Sequence, residues 1–272
     1  MPVPDTDGAA GAVGDHALLC AAVREGGALA LARFREGIGH WHKVDETPVT
    51  QADLDVDALL AARLRGARPD YGWLSEETED DTARLSTQRQ WIVDPIDGTR
   101  AFVKGRPHFS VVAALVEAGR PVTAAIFNPA TDEFFEAEAS KGARLNGTPI
   151  HATSRGRIEG CRMLGAADMF RHPAWPEAWP DMHVEQRNSI AYRAALVAAG
   201  EFDAMLAMTW KHDWDLAAAD LIVHEAGGLL GDHRGRQLVY NRPVARHRSV
   251  LAAGRPLFEA IRARIGTIAL GD

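Results

Sequence analysis

The feature that most restricts the fold of this chain is the stretch WIVDPIDGT at residues 91–99. Its first residues are apolar and favour β structure, so they predict a buried strand that ends at Asp94. Pro95 has no backbone N–H and cannot continue a strand ladder unchanged. Gly98 allows unusual backbone angles, and Thr99 can open a helix. The stretch therefore predicts a strand end that turns into a helix N-terminus beside two like charges.

Acidic residues also stand at two other element ends. Glu76 and Glu77 follow the short apolar run YGWL, at a second predicted strand end. Asp213 and Asp215 lie in the first turn of a predicted helix that begins HDWDLAAAD. Each group alone is also typical of a solvated loop, an Asp-Gly turn or a helix cap. The three groups become informative only if the fold brings them together.

Gathering these carboxylates in one place would require a compensating cation. Two bare carboxylates about 4 Å apart repel each other by roughly 4 kcal/mol at an effective dielectric constant near 20. Oxygen ligands without His or Cys select a hard divalent ion, Mg²⁺ or Mn²⁺. Exposed amides and the positive end of a helix dipole at Gly98 and Thr99 suit an anion such as phosphate. The acids therefore predict a metal site that binds a phosphate.

The remaining pattern predicts an α+β first half and an α/β second half. Helical spacing of apolar residues predicts helices over 16–35 and 51–65, and β-rich runs predict an antiparallel meander over 109–147. Strands and helices alternate after about residue 155. The segment HPAWPEAWP at 172–180 predicts a short helix over the site or the core. We divide the chain into a flexible N-terminus (1–14), an α+β half (15–153) and an α/β half (154–272), packed as one compact unit.

Composition sets bounds on the partners. The chain has 272 residues and a net charge of −7, without a Lys/Arg run, so we expect neither a nucleic-acid polymer nor a membrane as partner. The two cysteines, Cys20 and Cys161, are predicted to be buried reduced thiols. The first residues lack the pattern of a secretion signal, and no apolar run approaches the roughly 20 residues of a membrane span. We therefore expect a cytoplasmic protein.

Four motifs occur together, namely TPVTQAD at 47–53, SEE at 75–77, DPIDGT at 94–99 and WDLAAA at 214–219. In this order they resemble the motifs of the inositol monophosphatase family, which belongs to the Mg²⁺-dependent, lithium-sensitive phosphomonoesterases. The match extends over nearly the whole chain. The resemblance implies a layered αβαβα sandwich and hydrolysis of a small phosphate monoester by metal-activated water. It also implies two or three Mg²⁺ ions, with Mn²⁺ as a substitute, and a homodimer.

The resemblance implies roles for individual residues. Asp53, Thr99 and Glu76 would be catalytic, the first two by orienting the attacking water. Glu77 would contact the metal ligands without binding a metal itself, and Lys43 would lie near the metals. The metal ligands would be Glu76, Asp94, the carbonyl of Ile96, Asp97 and Asp215. The substrate contacts would be Asp97, Gly98, Thr99, Asn188, Ser189, Ile190 and Asp215.

Three departures from the family pattern provide evidence on which phosphate ester is the substrate. Asn188 stands where a Gly-Thr-Ala-like turn would have glycine, and Ala207 stands where inositol-phosphate enzymes often carry a glutamate. An acidic residue before Trp-Asp, here Asp213, resembles the bisphosphate-nucleotide phosphatases. We expect inositol-1-phosphate as the substrate, with 3′(2′),5′-bisphosphate nucleotidase as the alternative. Histidinol-phosphatase, fructose-1,6-bisphosphatase and an inactive regulatory binding protein are further alternatives, and the complete set of acids favours an enzyme.

Overall fold

A computed structural model describes residues 14–36, 40–42, 48–173 and 175–270. The predictions of a flexible segment before residue 14 and of Lys43 near the metals lie outside these ranges. The helices are α1 (Asp15–Glu36), α2 (Gln51–Ala67), α3 (Thr99–Val103), α4 (Ala167–Arg171), α5 (Ile190–Ala198), α6 (Asp213–Glu225) and α7 (Arg255–Ile265), with a 3₁₀ turn at Thr82–Ser86. None of the helices within the described ranges is both long and apolar enough to cross a membrane.

The strands form two larger sheets and two short ribbons. The first part of the chain contains β1 (His40–His42), β2 (Pro48–Thr50), β3 (Gly72–Ser75), β4 (Arg89–Asp97), β5 (Ser110–Glu117), β6 (Arg120–Asn128), β7 (Glu133–Glu138), β8 (Ala143–Leu145) and β9 (Thr148–Pro149). The second part contains β10 (Arg162–Leu164), β11 (His183–Glu185), β12 (Ala204–Ala207), β13 (Lys211–His212), β14 (Gly228–Gly231), β15 (Arg246–His247) and β16 (Val250–Gly254).

Strand order follows the sequence in the first sheet and departs from it in the second. The seven-stranded sheet has the order β3-β4-β5-β6-β7-β8-β9. Its β3–β4 pair is parallel and the later pairs are antiparallel, which includes the predicted meander. The five-stranded sheet has the order β11-β10-β12-β16-β14, with parallel pairs on both sides of β10. The α+β class is therefore confirmed, whereas the boundary between residues 153 and 154 stays a prediction.

Apolar side chains sort the helices into three layers around these sheets. Helices α1 and α2 cover the outer face of the larger sheet, where Val23 and Val56 pack in one cluster with Trp91. Helices α5 and α6 fill the space between the sheets, and α7 covers the far face of the smaller sheet. Leu196 and Ile222 are fully buried in the central layer. The resulting αβαβα sandwich confirms the architecture that the family resemblance implied.

The structure extends β4 past the end predicted at Asp94. The strand runs to Asp97, and its pairing with β5 shifts in register between the Asp94–Val112 and Asp97–Ser110 pairs. Such a bulge lets a strand accommodate a proline, because the residue without an N–H is left out of the regular ladder. The helix that follows begins at Thr99, as predicted, with Gly98 as its N-cap.

The predicted helix at 172–180 is wrong. Helix α4 ends at Arg171, and the described residues of this segment, 172–173 and 175–180, form bends and turns. Three prolines in the segment remove backbone donors, which explains the irregular backbone. The rings of Trp175 and Trp179 meet edge to face 5.3 Å apart, and Trp179 contacts Phe170. The segment thus covers the core beneath α7 and does not line the cavity that contains Asp94.

Close packing between α1 and the large sheet makes Gly27 a sensitive position. A Cβ on this helical glycine would collide with the buried ring of Phe127, whereas one on Gly66 in α2 would meet nothing within 4 Å. We expect Gly27→Ala to lower the free energy of unfolding by about 1–3 kcal/mol. Gly66→Ala should leave it unchanged or raise it by up to about 1 kcal/mol. Urea denaturation measures both, and equal values for the two variants would contradict the packing described.

Candidate active site

Three chain segments bring acidic side chains to one place. Strands β3 and β4 run parallel with Ser75 opposite Val93, so Glu76 and Asp94 follow at the same edge of the sheet. Oxygen atoms of Asp94, Asp97 and Asp215 all lie within 4.8 Å of one another. These three acids and Glu76 line a common cavity. The sequence-predicted acids therefore converge, although their role as ligands remains a prediction.

The cavity has a volume of about 390 Å³, which is within the size range of small-molecule sites. Both acidic and basic side chains line it, so it can bind positively or negatively charged groups. The other predicted residues that line it are Gly98, Thr99, Asn188, Ser189 and Ile190. The residues that sequence reasoning did not place there are Arg100, Arg193, Trp210, Lys211, His212 and Trp214.

Asp94 provides the clearest indication of what this cavity binds. Its side chain is 1% exposed, and neither carboxylate oxygen has a hydrogen-bond partner. Burial raises the pKa of Asp94 well above its ordinary value, and the nearby Glu76 and Asp97 raise it further. A buried ionised group without partners is strongly unfavourable. Because divalent metals take carboxylate oxygens as ligands, the residues present fit a metal ion at this position.

Asp97 connects the larger sheet to the start of α5, a helix of the central layer. Its Oδ2 atom accepts hydrogen bonds from Ser189 Oγ at 2.6 Å and from the Ala191 amide at 2.7 Å. Ser189 in turn caps α5 by accepting from the Tyr192 amide. Burial raises the pKa of Asp97, and the two donors oppose that rise. These bonds fix the turn at 188–190 beside the acids.

Asp215 is held by the helix on which it lies. It is the third residue of α6, and its Oδ2 atom accepts the His212 amide at 2.7 Å. Burial, Asp97 and Glu76 raise the pKa of Asp215 well above its ordinary value. Asp213, two residues earlier, faces elsewhere and accepts from His247 Nε2 at 3.0 Å and from the Asn241 amide. Only Asp215 of this predicted pair reaches the cavity.

Asp53 and Thr99 meet at the edge of the acidic cluster. Asp53 Oδ2 accepts the amide and hydroxyl of Thr50 at 2.8 and 2.6 Å, which forms a capping box at the start of α2. The hydroxyl of Thr99 lies 3.3 Å from Asp53 Oδ1 and 3.0 Å from the Ile96 carbonyl oxygen, so it can donate to either. Burial raises the pKa of Asp53 to about 6, while the bonds from Thr50 oppose this.

Gly98 is required by the close approach of two loops. Its φ of +96° lies in the left-handed region, and an added Cβ would meet the His108 carbonyl oxygen at 2.7 Å and the Ser189 amide nitrogen at 2.9 Å. A glycine therefore permits the contact between the end of β4 and the start of α5. This contact brings the predicted substrate residues from the two parts of the chain to the same wall.

Asp57 positions the loop that carries Glu76, although the sequence did not single it out. It lies one helical turn after Asp53 on α2, and its carboxylate accepts the hydroxyls of Ser75 and Thr78. Ser75 Oγ also accepts the amide of Glu77 at 3.2 Å. The sequence signal that could have identified Asp57 is its spacing of four residues from Asp53 at the start of a helix, which places both side chains on one face.

Positive and aromatic groups also form part of the cavity wall. The rings of His212 and Trp214 stack 4.5 Å apart. Burial lowers the pKa of Lys211 and of Arg193, and Asp215 opposes both shifts. Ala207, the counterpart of the family glutamate, lies at the end of β12 and does not line the cavity. The basic and aromatic side chains can therefore contact an anion or the ring of a substrate, and this does not require an acidic residue at position 207.

Fold and site together define a metal-dependent phosphatase of the layered αβαβα type. Its buried carboxylates could supply oxygen ligands for a metal, and amides and basic side chains beside them suit a phosphate. A model of the inositol monophosphatase family matches residues 15–267, and the chain belongs to that family. This confirms the family and the phosphatase class that the motifs indicated.

Individual relatives agree with this assignment. An inositol-1-monophosphatase of Rhizobium meliloti (strain 1021) is 37% identical over 202 residues, which are 69% of this chain and 73% of the relative. A histidinol-phosphatase of Chlorobaculum parvum (strain DSM 263 / NCIMB 8327) is 32% identical over 220 residues, with 78% and 83% covered. The crystal structure of the extragenic suppressor protein suhB from Bartonella henselae matches with a TM-score of 0.79 and 27% identity, and covers 93% of this chain and 98% of that one.

The raised carboxyl pKa values predict how stability depends on pH without metal. The pKa of Asp53 rises from 3.8 to about 6, and those of Asp94 and Asp215 also rise. Each group binds its proton more tightly when folded, so its contribution to stability is full below the unfolded pKa and is lost as pH rises through the folded one. We therefore expect urea denaturation in EDTA to show lower stability near pH 8 than near pH 5.

Two substitutions identify the source of that trend. Asp94→Asn should reduce the fall in stability between pH 5 and pH 8, because it removes a buried charge without partners. We expect it to raise the free energy of unfolding in EDTA near pH 8 by about 1–3 kcal/mol. Asp70→Asn, at an exposed position, should leave the pH dependence unchanged. Equal or greater stability of the unsubstituted protein at the higher pH would contradict the electrostatic account.

Proposed function

We propose that the protein hydrolyses a small phosphate monoester with Mg²⁺ bound at the acidic cluster. The observation that supports this most strongly is Asp94, a buried carboxylate without hydrogen-bond donors among three other acids. The proposed metal ligands are Glu76, Asp94, the Ile96 carbonyl, Asp97 and Asp215. Two or three ions are proposed from the family resemblance, with Mn²⁺ as a substitute.

Different residues would have different roles in the reaction. Bound Mg²⁺ would neutralise phosphate oxygens and lower the pKa of a water molecule. Asp53 and Thr99 would hold the attacking water, since their oxygens lie 3.3 Å apart beside the cluster. Glu76, at the end of β3, would assist in its activation. The amides of Gly98 and Thr99 and the start of α5 would bind the phosphate oxygens, because N–H groups at helix N-termini favour anions.

A phosphate-release assay tests this proposal. We expect hydrolysis of a generic monoester to depend on Mg²⁺, to be lost on chelation, and to fall about a thousandfold in Asp94→Asn. Asp53→Asn should lower kcat about a hundredfold or more, because the water loses an orienting acceptor. Asp55→Asn is the matched control, since Asp55 lies on the same helix and pairs with Arg33 at 2.7 Å. Full activity in EDTA or in Asp94→Asn would contradict the proposal.

Inositol-1-phosphate is the substrate that we propose first. The relative from Rhizobium meliloti carries the name inositol-1-monophosphatase. The cavity offers polar groups for ring hydroxyls, including Asn188, Lys211 and His212. The absence of a glutamate at position 207 requires these other residues to contact the ring. Lithium inhibition, a homodimer and a cytoplasmic location remain predictions from the sequence and the family resemblance.

A second cavity favours the bisphosphate nucleotide alternative. It has a volume of about 580 Å³ and shares Trp210 with the acidic cavity. Arg246 and Arg248 lie over the ring of Trp210, at 4.4 and 4.8 Å from its centroid. The arginines that line this second cavity are Arg234, Arg236, Arg242, Arg246 and Arg248. A second phosphate and an aromatic base would suit this wall, whereas the ammonium group of histidinol phosphate would not.

A substrate panel separates these candidates. If the substrate is a bisphosphate nucleotide, Arg242→Ala with Arg246→Ala should lower kcat/KM for 3′-phosphoadenosine-5′-phosphate by about tenfold or more. The same pair should change kcat/KM for inositol-1-phosphate less than twofold. The control pair Arg35→Ala with Arg171→Ala removes the same charge at exposed positions outside both cavities. A preference for inositol-1-phosphate that is unaffected by both pairs would support the first candidate.

A further inference from the structure

A second group of metal-binding side chains lies between α1 and the large sheet, apart from the acidic cavity. His16 and Cys20 are four residues apart on α1, so they point to the same side of that helix. Glu136 reaches them from β7. The sequence predicted Cys20 to be a buried thiol, but it is only half-buried and is not part of a disulfide. Nothing in the phosphatase chemistry uses these three residues.

The three donor atoms form a compact triangle. Cys20 Sγ lies 3.7 Å from His16 Nε2 and 3.3 Å from Glu136 Oε2. The third edge, from His16 Nε2 to Glu136 Oε2, is 3.4 Å. Each residue therefore contributes one atom, and both of the distances measured for that residue start from this same atom. This is the arrangement that a shared ion would require.

The edges match the dimensions of a tetrahedral zinc site. Zinc binds sulfur at about 2.3 Å, imidazole nitrogen at about 2.0–2.1 Å and carboxylate oxygen at about 2.0–2.2 Å. With tetrahedral angles these bonds place neighbouring ligand atoms roughly 3.3–3.6 Å apart. The observed edges of 3.3, 3.4 and 3.7 Å lie within about 0.3 Å of these separations, so small side-chain movements would suffice. One sulfur, one nitrogen and one oxygen donor also favour zinc over Mg²⁺.

Thr123 favours the imidazole tautomer that a metal needs. His16 Nδ1 and Thr123 Oγ1 are 2.6 Å apart, and the Thr123 hydroxyl can itself donate to the Ala137 carbonyl oxygen at 3.4 Å. An imidazole that donates its Nδ1–H to Thr123 leaves the lone pair of Nε2 free. Cys20 Sγ lies 3.7 Å from Nε2 and 3.9 Å from Nδ1, beside the ring, so the imidazole would turn to direct that lone pair at a shared ion. Histidines that bind metals commonly donate their other ring N–H in this way.

Solvent can reach the cluster from one side. A cavity of about 540 Å³ is lined by His16 and Thr123 together with Asp15, Arg89 and other residues. The side chains of His16 and Glu136 are 29% and 20% exposed. An ion could therefore enter along this cavity, and a water molecule from it could supply the fourth ligand.

We propose that His16, Cys20 and Glu136 bind one Zn²⁺ ion that joins α1 to β7. Without the ion, the thiol donates to Glu136. On binding, a sulfur–zinc bond replaces the S–H bond and the released proton passes to solvent, while the nitrogen and oxygen donate lone pairs. No oxidant or reductant is needed. Because the ion would bridge a helix and a strand, it would stabilise the packing of the first layer on the large sheet.

Cobalt substitution tests the proposal on the full chain. Co²⁺ is added in the presence of excess Mg²⁺, and a sulfur-to-cobalt charge-transfer band is recorded in the near ultraviolet. The oxygen ligands of the acidic cavity cannot give this band. We expect the band in the unsubstituted protein and in Cys161→Ser, which retains only Cys20. It should disappear in Cys20→Ser and weaken or shift in Glu136→Gln.

Zinc affinity provides a second measurement. Thr123→Val should retain the cobalt band and weaken zinc binding by about tenfold or more, because the imidazole loses its orienting partner. Zinc should raise the melting temperature of the unsubstituted protein but not that of His16→Ala. Absence of the band in the unsubstituted protein, its persistence in Cys20→Ser, or its loss in Cys161→Ser would overturn the proposal. The outcome does not depend on phosphatase activity.

Discussion

The structure around the candidate active site depends on the burial of Asp94, three residues before the end of β4. A carboxylate that is 1% exposed and without donors is stable only if its charge is removed by a proton or balanced by a cation. The parallel pairing of β3 and β4 brings Glu76 beside it, which makes the repulsion larger. The fold therefore tolerates a local electrostatic cost that metal binding would relieve. Stability and function are in conflict at this point, as is common at active sites.

The same cluster also connects the larger sheet to the central helix layer. Asp97 ends the long strand of the first sheet and accepts hydrogen bonds from Ser189 and Ala191 at the start of α5, which packs in the central layer. Gly98 permits the close approach, since a larger residue would collide with the Ser189 amide. Any movement of α5 relative to the larger sheet would therefore displace a proposed metal ligand and the proposed phosphate-binding amides relative to each other. A rigid connection of this kind suits a reaction that depends on positioning.

Sequence reasoning could predict those parts that local patterns determine. The strand before Asp94 and the position of Asp215 in the first turn of a helix follow from periodicity and helix-start patterns, and Asp53 and the layered fold follow from motif resemblance. Contacts between distant segments could not be predicted in that way. Arg193 lies within an apolar helix whose sequence gives no indication of a nearby cavity. The bulge at Pro95 also depends on the partner strand, because only the pairing with β5 reveals the shift in register.

The two clusters of potential ligands differ in chemistry, and this difference would keep their ions apart. Asp94, Asp97 and Asp215 offer only oxygen atoms, which favour a hard ion that exchanges quickly. His16, Cys20 and Glu136 offer nitrogen, sulfur and oxygen, which favour a borderline ion that is held more tightly. Zinc captured at the second cluster would also be withheld from the acidic cavity, where it could compete with Mg²⁺. The ligand set, more than the position in the fold, would thus determine which ion occupies which site.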